Sequence, residues 1–228
     1  MMILAIDTAS RSCGVAVVND GAVLAEINDV SGQTHSRHLM GMVDRALAMS
    51  VGHPDRIDAY AVTRGPGSFT GLRIGISTAK GLAEAAGKPL VGVSSLEALA
   101  WQVFPVDCLI VPMLDARRKE VYGARFRRKG NGLAPIGREA ALSPEAAVEG
   151  IAEPCLLVGD GAVVYAERLQ GVLGDRMRMA LPFQHIVRAS TVAFLAQLRM
   201  ATVSDERLGL TPRYLRKSYA QSAANRPG

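Results

Sequence analysis

Two stretches of this chain run through the same order of elements, and that repetition constrains the fold more than any other feature. An apolar run at 2–7 ends in Asp7. A loop follows, then a second run at 14–18, the turn Asn19-Asp20-Gly21, a third run at 22–28 and a helical pattern at 36–50. Another apolar run at 109–114 ends in Asp115, with further runs at 121–126 and 133–136 on either side of Lys129-Gly130-Asn131-Gly132. Asp20-Gly21 supplies the positive φ of a tight hairpin. Ser143 followed by Pro144 and Glu145 marks a helix start, with Ser143 as cap and Pro144 in the first turn. The first half continues with a strand at 59–63, a helix at 70–86 closed by Gly87 and Pro89, and a strand at 90–93. The second continues with a strand at 156–158 and a helix at 191–200. The pattern predicts an α/β chain of two lobes, 1–104 and 105–228, with Asp7 and Asp115 at equivalent strand ends and the second lobe reduced.

Composition narrows the function classes. With 49% hydrophobic and 21% charged residues, the 228-residue chain has the balance of a folded protein. Aromatic residues are only 5%, too few for an RNA-binding sheet studded with stacking rings. No apolar stretch approaches the ~18 residues of a membrane span. Residues 1–7 carry no basic segment and read as a first strand, not a signal peptide. Cys13, Cys108 and Cys155 are far apart and form no Cys-x-x-Cys, which predicts buried, reduced thiols in a cytoplasmic protein. The net charge of +5 sits in two places. Residues 115–130 hold seven basic and two acidic side chains, and residues 199–228 hold six and two. Arg117-Arg118-Lys119 and the tail cations Arg213, Arg216 and Lys217 are therefore candidates either for a polyanion surface or for ordinary solvated faces.

Two facing lobes of this order resemble the ribonuclease-H-like architecture duplicated in actin, sugar kinases and Hsp70. The resemblance implies an inter-lobe cleft where phosphates and a metal sit. Asp7-Thr8-Ala9-Ser10 and Asp115-Ala116-Arg117 occupy the positions of its two phosphate loops, and Gly159-Asp160-Gly161 that of its adenosine turn. The chemistry argues for a vestigial cleft. No glycine lies between Asp7 and Gly14, and Arg117, Arg118 and Lys119 put side chains where a phosphate needs bare backbone. Asp7 and Asp115 are expected to order tight turns, with Thr8, Gly159 and Gly161 completing a vestigial nucleotide site.

The helices point instead to a partner. Gly71, Gly75 and Ala79 recur every four residues and form a small-residue stripe that lets another helix approach closely, beside Arg73. The alternative is packing within the same lobe. On the 36–50 helix, Leu39, Met42, Val43, Ala46, Leu47 and Met49 cover an apolar arc wider than the ~100° that one core face needs. Leu39, Val43 and Leu47 are expected to face the core, with Met42 and Met49 outside it. The alternative is a deeply embedded helix. His35 and His38 share one helical end, where a third metal ligand is not evident. No nucleophile, general base or paired-carboxylate set stands out.

Ile3-Leu4-Ala5-Ile6-Asp7-Thr8, His35-Ser36, Arg64-Gly65-Pro66-Gly67-Ser68-Phe69-Thr70-Gly71-Leu72-Arg73-Ile74-Gly75, Asp115-Ala116-Arg117 with Glu120-Val121-Tyr122, and Pro212-Arg213-Tyr214-Leu215-Arg216 together resemble the TsaB (YeaZ) family. The resemblance covers nearly the whole chain. It implies a non-catalytic subunit that pairs with a TsaD-like catalytic subunit and a TsaE-like ATPase. That assembly transfers threonylcarbamoyl to N6 of adenosine 37 in tRNAs reading ANN codons. It implies tRNA contact through the complex, no membrane, no cofactor on this chain, and ATP and metal on the partner subunits. The implied partner-binding residues are Leu39, Met42, Ala46, Met49, Gly71, Arg73, Gly75 and Ala79, on helices that also serve family dimers. Whether the isolated chain forms a homodimer stays open. Gly41 departs from the family, where proline is common. An ATP-dependent small-molecule kinase is the alternative, and a glycoprotease-type metallopeptidase a weaker one.

Overall fold

The computed structural model describes residues 1–31, 35–203 and 205–216. Lys217 and the His35–His38 imidazole pairing lie outside the described residues. The first half forms β1 (Met2–Asp7), β2 (Cys13–Asn19), β3 (Ala22–Asp29), α1 (His35–Ser50), β4 (Ala59–Gly65), α2 (Phe69–Ala86), β5 (Leu90–Ser94) and α3 (Ser95–Trp101). The second forms β6 (Leu109–Arg117), β7 (Glu120–Gly123), β8 (Phe126–Lys129), β9 (Gly132–Pro135), β10 (Ala140–Leu142), α4 (Pro144–Val148), β11 (Cys155–Val158), α5 (Asp160–Val164), α6 (Ala166–Leu173), β12 (Met177–Met179) and α7 (Ala189–Met200).

The duplication extends to sheet order. The first sheet runs β3-β2-β1-β4-β5, and the path of the second runs β10-β7-β6-β11-β12. In each, three antiparallel strands continue into two parallel ones. This is the α/β, two-lobed ribonuclease-H-like fold with a reduced second lobe. The reduction is visible element by element. Where the first lobe places the 16-residue α1, the second has the five-residue α4. The 18-residue α2 is matched by the short pair α5 and α6. One expectation is corrected here. The run at 133–136 is not the third strand of the second lobe. It forms β9, which pairs with β8 in a hairpin that joins the sheet at Phe126 against Ile110, and the third strand is β10. The short, only half-buried Ala140–Leu142 carries too weak an alternation to announce itself.

β1 is apolar throughout because both of its faces are covered. Leu4 and Ile6 pack with Val15, Val17, Leu39, Val43, Ile76 and Ala79 on the α1 and α2 side. Ile3 and Ala5 join a core that contains Leu96 and Leu99 of α3, Val192 and Ala196 of α7, and Ile110 and Val158 of the second sheet. That core ties the lobes together. The chain after residue 105 does not stay on its own sheet, since α7 lies against β1 and β2. Its N-terminal end is held by Glu26 of β3, which accepts from Arg188 and from Ser190 N and Oγ at 3.1 and 2.9 Å. Burial pushes the Glu26 carboxyl up, but these donors outweigh it and hold it below its ordinary range.

The tail then covers the edge strand β5, where unpaired backbone would otherwise invite association. Leu90 N donates to Asp205 Oδ1 (3.1 Å), Gly92 N to Glu206 Oε2 (2.7 Å) and Glu206 N to Leu90 O (2.8 Å). The Asp20-Gly21 turn has the expected positive φ at both residues, and Gly87 closes α2 in the left-handed region. Cys13 and Cys155 are buried and Cys108 is half-buried, all three as free thiols. Burial pushes Cys13 up to about 12.

Glycines along the helices separate close packing from mere tolerance. A Cβ on Gly71 would sit 2.1 Å from Thr8 O, whereas one on Gly81 or Gly41 meets nothing within 4 Å. Gly71→Ala is expected to lower stability by about 1–3 kcal/mol. Gly41→Ala and Gly81→Ala are each expected to raise it by about 0.5–1 kcal/mol. Urea unfolding midpoints of the three variants against the parent chain check the sign and order.

Candidate functional site

The first strand ends at a sealed turn. Asp7 is fully buried. Its Oδ1 accepts from Thr63 Oγ1 at 2.8 Å and from Ala9 N at 3.2 Å, while Oδ2 is buried without a hydrogen-bond partner. The Gly65-Pro66-Gly67 loop lies on this turn. Ser68 N donates to Ala9 O at 2.7 Å, and a Cβ on Gly67 would come within 2.2 Å of the same oxygen. Thr8 Oγ1 donates to Gly71 O at 2.8 Å, and a Cβ on Gly75 would reach to 2.2 Å of Thr8 Oγ1.

The cleft residues of the second lobe are engaged in the same way. Asp115 Oδ1 accepts from Arg117 N at 2.9 Å, an order-giving turn contact as expected, and Asp115 N donates to Asp160 Oδ1 at 3.0 Å. A Cβ on Gly159 would meet Met113 O at 2.1 Å, and one on Gly161 would meet Leu114 C at 2.8 Å. Burial and the Asp115 charge push Asp160 up, against the hydrogen bond from Asp115 N. The hairpin tip Arg117-Arg118-Lys119 holds three successive side-chain-bearing residues at positive φ, 62°, 53° and 64°. A nucleotide with its metal does not fit this cleft as built. The glycines that would admit phosphate or adenosine already touch backbone, and the Asp7 carboxyl is closed over. Among the described residues, no group of three or more His, Cys, Asp or Glu side chains could hold a metal ion.

The expected partner-binding residues divide sharply. Met49 is 68% exposed and Arg73 is exposed, so both stand on the outer surface of their helices. Leu39, Met42, Ala46, Gly71, Gly75 and Ala79 are buried within this chain. The expectation that Met42 stands outside the core is corrected, because it is 6% exposed and packs in the cluster with Leu4, Val15 and Val43. α1 is seated against β2, β3 and α2 at once, so a wide apolar arc is needed for its own lobe. The small-residue stripe is likewise turned inward. At Gly71 and Gly75 it admits the Thr8 turn, and Ala79 lies in the apolar cluster with Leu39 and Val43 of α1.

What faces outward on these helices is a different set. Met40 is 46% exposed on α1, and Phe69 is exposed at the start of α2. The Arg73 guanidinium lies 4.0 Å over the Phe69 ring, Tyr214 stacks on Phe69 at 4.9 Å, and Arg73 Nε donates to Tyr214 OH at 3.1 Å. Sequence reasoning missed Phe69 and Tyr214, although both lie within the motifs Gly-Ser-Phe-Thr-Gly and Pro-Arg-Tyr. Their 145-residue separation hides the contact. The tail cations are not free either. Arg213 pairs with Glu139 at 3.0 Å, and Arg216 with Glu120 at 2.8 Å.

The buried Asp7 has a pH consequence. Burial, with a smaller push from Asp160, raises it to about 7 against the pull of Thr63 and Ala9. Below the unfolded value of 3.8 the acid is protonated in both states. Between there and about 7 the unfolded chain ionises first, so stability falls as pH rises. Asp7→Asn keeps an oxygen for Thr63 and Ala9 and removes the titration. The parent chain should lose more stability than this variant between pH 5 and pH 8, measured by urea unfolding at the two pH values.

The family model of TsaD, the tRNA N6-adenosine threonylcarbamoyltransferase, matches residues 27–224. The tRNA threonylcarbamoyladenosine biosynthesis protein TsaB of Bacillus subtilis is 33% identical over 225 residues, covering 97% of each chain. The Escherichia coli protein of the same name is 42% identical over 148 residues, 64% of each chain. The solved structure of YeaZ from Pseudomonas aeruginosa superposes with a TM-score of 0.79 at 30% identity, covering 94% of this chain and 99% of that one. With a full-length relative above 30% identity, a neighbouring structure of the same topology and the motifs on β1, α2 and the tail, the chain belongs to the TsaB (YeaZ) family.

Proposed function

We propose that this chain serves tRNA threonylcarbamoyladenosine biosynthesis as the non-catalytic dimerisation and activating subunit. Its partner is a TsaD-like subunit that transfers threonylcarbamoyl from threonylcarbamoyl-AMP to N6 of adenosine 37 in tRNAs reading ANN codons. A TsaE-like ATPase joins them in the cytoplasm, and tRNA is met through the complex. The observation that supports this most is the self-packed cleft. Gly67 rests on Ala9, Gly159 on Met113 and Gly161 on Leu114, so the turns inherited from a nucleotide-binding architecture now hold the lobes in shape. The TsaB relatives carry the pathway in their name. The TsaD model that matches this chain is that of the transferase itself, consistent with two paralogues sharing a fold.

In this reading ATP and metal act on the partner subunits, and the chain contributes the outer faces of α1 and α2. Met40, Met49, Phe69 and Arg73 stand there. The buried Leu39, Met42, Ala46, Gly71, Gly75 and Ala79 support that surface from beneath. Their large substitutions test folding, not docking.

Co-purification and calorimetric titration with a TsaD-like subunit test the proposal. Met49→Glu is expected to weaken binding by about 10-fold with an unchanged urea midpoint, since a carboxylate must then be buried in an apolar contact. Absence of binding by the parent chain overturns the reading. Saturable Mg-ATP binding with turnover by the isolated chain would favour the kinase alternative instead.

A further inference from the structure

A groove of about 510 Å³ runs between α2 and the tail, lined on its polar side by Arg73, Ser77, Lys80, Thr211 and Tyr214. Two cations and three hydroxyl-bearing side chains line it, and no carboxylate does. Several arginines of this protein are neutralised by carboxylates of the same chain. Arg127 pairs with Glu153, Arg128 with Asp107, Arg168 with Glu145 and Arg188 with Glu26. Among the described residues, Arg73 and Lys80 have no such carboxylate, and Lys80 makes no hydrogen bond. Arg73 is also fixed within its own chain. Phe69 supports the guanidinium plane from one side, and Tyr214 OH takes its Nε–H. The two terminal Nη groups are left for an external acceptor.

We propose that this groove is a receptor for an acidic side chain of the docking subunit, with Arg73 as its fork and Lys80 as a second positive charge. The inference rests on the docking role of α2 proposed above and names the chemistry of the partner at that face. A guanidinium with both Nη groups unoccupied matches the paired oxygens of a carboxylate and of a phosphate alike. A carboxylate is assigned because the occupant of this face is a protein subunit, whose acidic side chains are carboxylates. The tail builds one wall, so Leu210, Pro212 and Tyr214 act as positioning residues. A pre-oriented arginine loses little side-chain freedom on pairing, which turns an ordinary surface charge into a specific contact.

The experiment measures affinity of the full chain for a TsaD-like subunit at low and high NaCl. Arg73→Gln is expected to weaken binding about 10- to 100-fold at low salt and to flatten its salt dependence. Arg73→Lys keeps a charge but loses the fork and should fall between. Tyr214→Phe frees the guanidinium and should cost about 3- to 10-fold. Arg127→Gln, on the far lobe, serves as the control and should change nothing. Urea midpoints equal to the parent's exclude misfolding. If the parent chain binds and Arg73→Gln binds equally well with the same salt slope, the receptor is refuted while the docking role stands. If the parent chain does not bind, the docking role itself fails. Titration with inorganic phosphate alone separates the sources. Millimolar or tighter phosphate binding that Arg73→Gln abolishes, together with unchanged subunit affinity, would overturn the carboxylate reading.

Discussion

The structure depends on one backbone-to-backbone approach. The turn after β1 presses Thr8 and Ala9 against Gly67, Gly71 and Gly75, so closely that a single added carbon at any of the three would fall 2.1–2.2 Å from an oxygen. Two short hydrogen bonds fasten the approach, from Ser68 N to Ala9 O and from Thr8 Oγ1 to Gly71 O. The same contact has three results. It places α2 on the first sheet, it buries the Asp7 carboxyl, and it fixes which side of α2 faces solvent. In a nucleotide-binding relative of this architecture the corresponding turn would keep its amides bare for phosphate. Here Ala9 N is taken by Asp7 Oδ1, and the Thr8 and Ala9 carbonyls lie against the start of α2. The burial of Asp7 and the definition of the outer face of α2 are thus one packing event.

Much of this was legible in the sequence because it rests on local rules. The Asp20-Gly21 turn, the Ser143 cap and the Gly87 stop each use a residue whose backbone or side chain has few other roles. The duplicated order was legible because β1 and β6 are buried on both faces and so appear as uninterrupted apolar runs ending in aspartate. The third strand of the second lobe was not, because Ala140–Leu142 has three half-buried residues and no alternation, whereas the β8–β9 hairpin carries a stronger turn signal.

The site was only partly legible, for a different reason. Periodicity reports that a face is apolar or small, and says nothing of what covers it. Met42 and the Gly71, Gly75, Ala79 stripe satisfy the pattern of an interface. Both are consumed by their own lobe, because α1 meets two strands and a helix, and α2 meets a turn. The side chains that do face outward, Met40, Met49 and the Phe69–Arg73–Tyr214 cluster, break the helical stripe or come from the far end of the chain. A contact between residues 73 and 214 is set by the tail's path, which no local rule contains.

That path also explains the charge. A net +5 concentrated in two segments suggests a polyanion surface, yet in the folded chain much of it closes the structure. Arg188 meets Glu26 across the two halves, Arg213 meets Glu139, and Arg216 meets Glu120 and Ala116 O on the second lobe. The tail thereby runs from the edge of β5 past α2 to the base of the 117–119 hairpin. Exposed ion pairs of this kind contribute little each, but Glu26 and Glu139 are nearly buried, at 6% and 11% side-chain exposure, and would be costly to leave unpaired. The tail therefore holds two lobes in one relative placement while setting Tyr214 beside Arg73. A partner that meets α2 meets a surface already ordered from both ends of the chain, so little of its binding energy goes into arranging it.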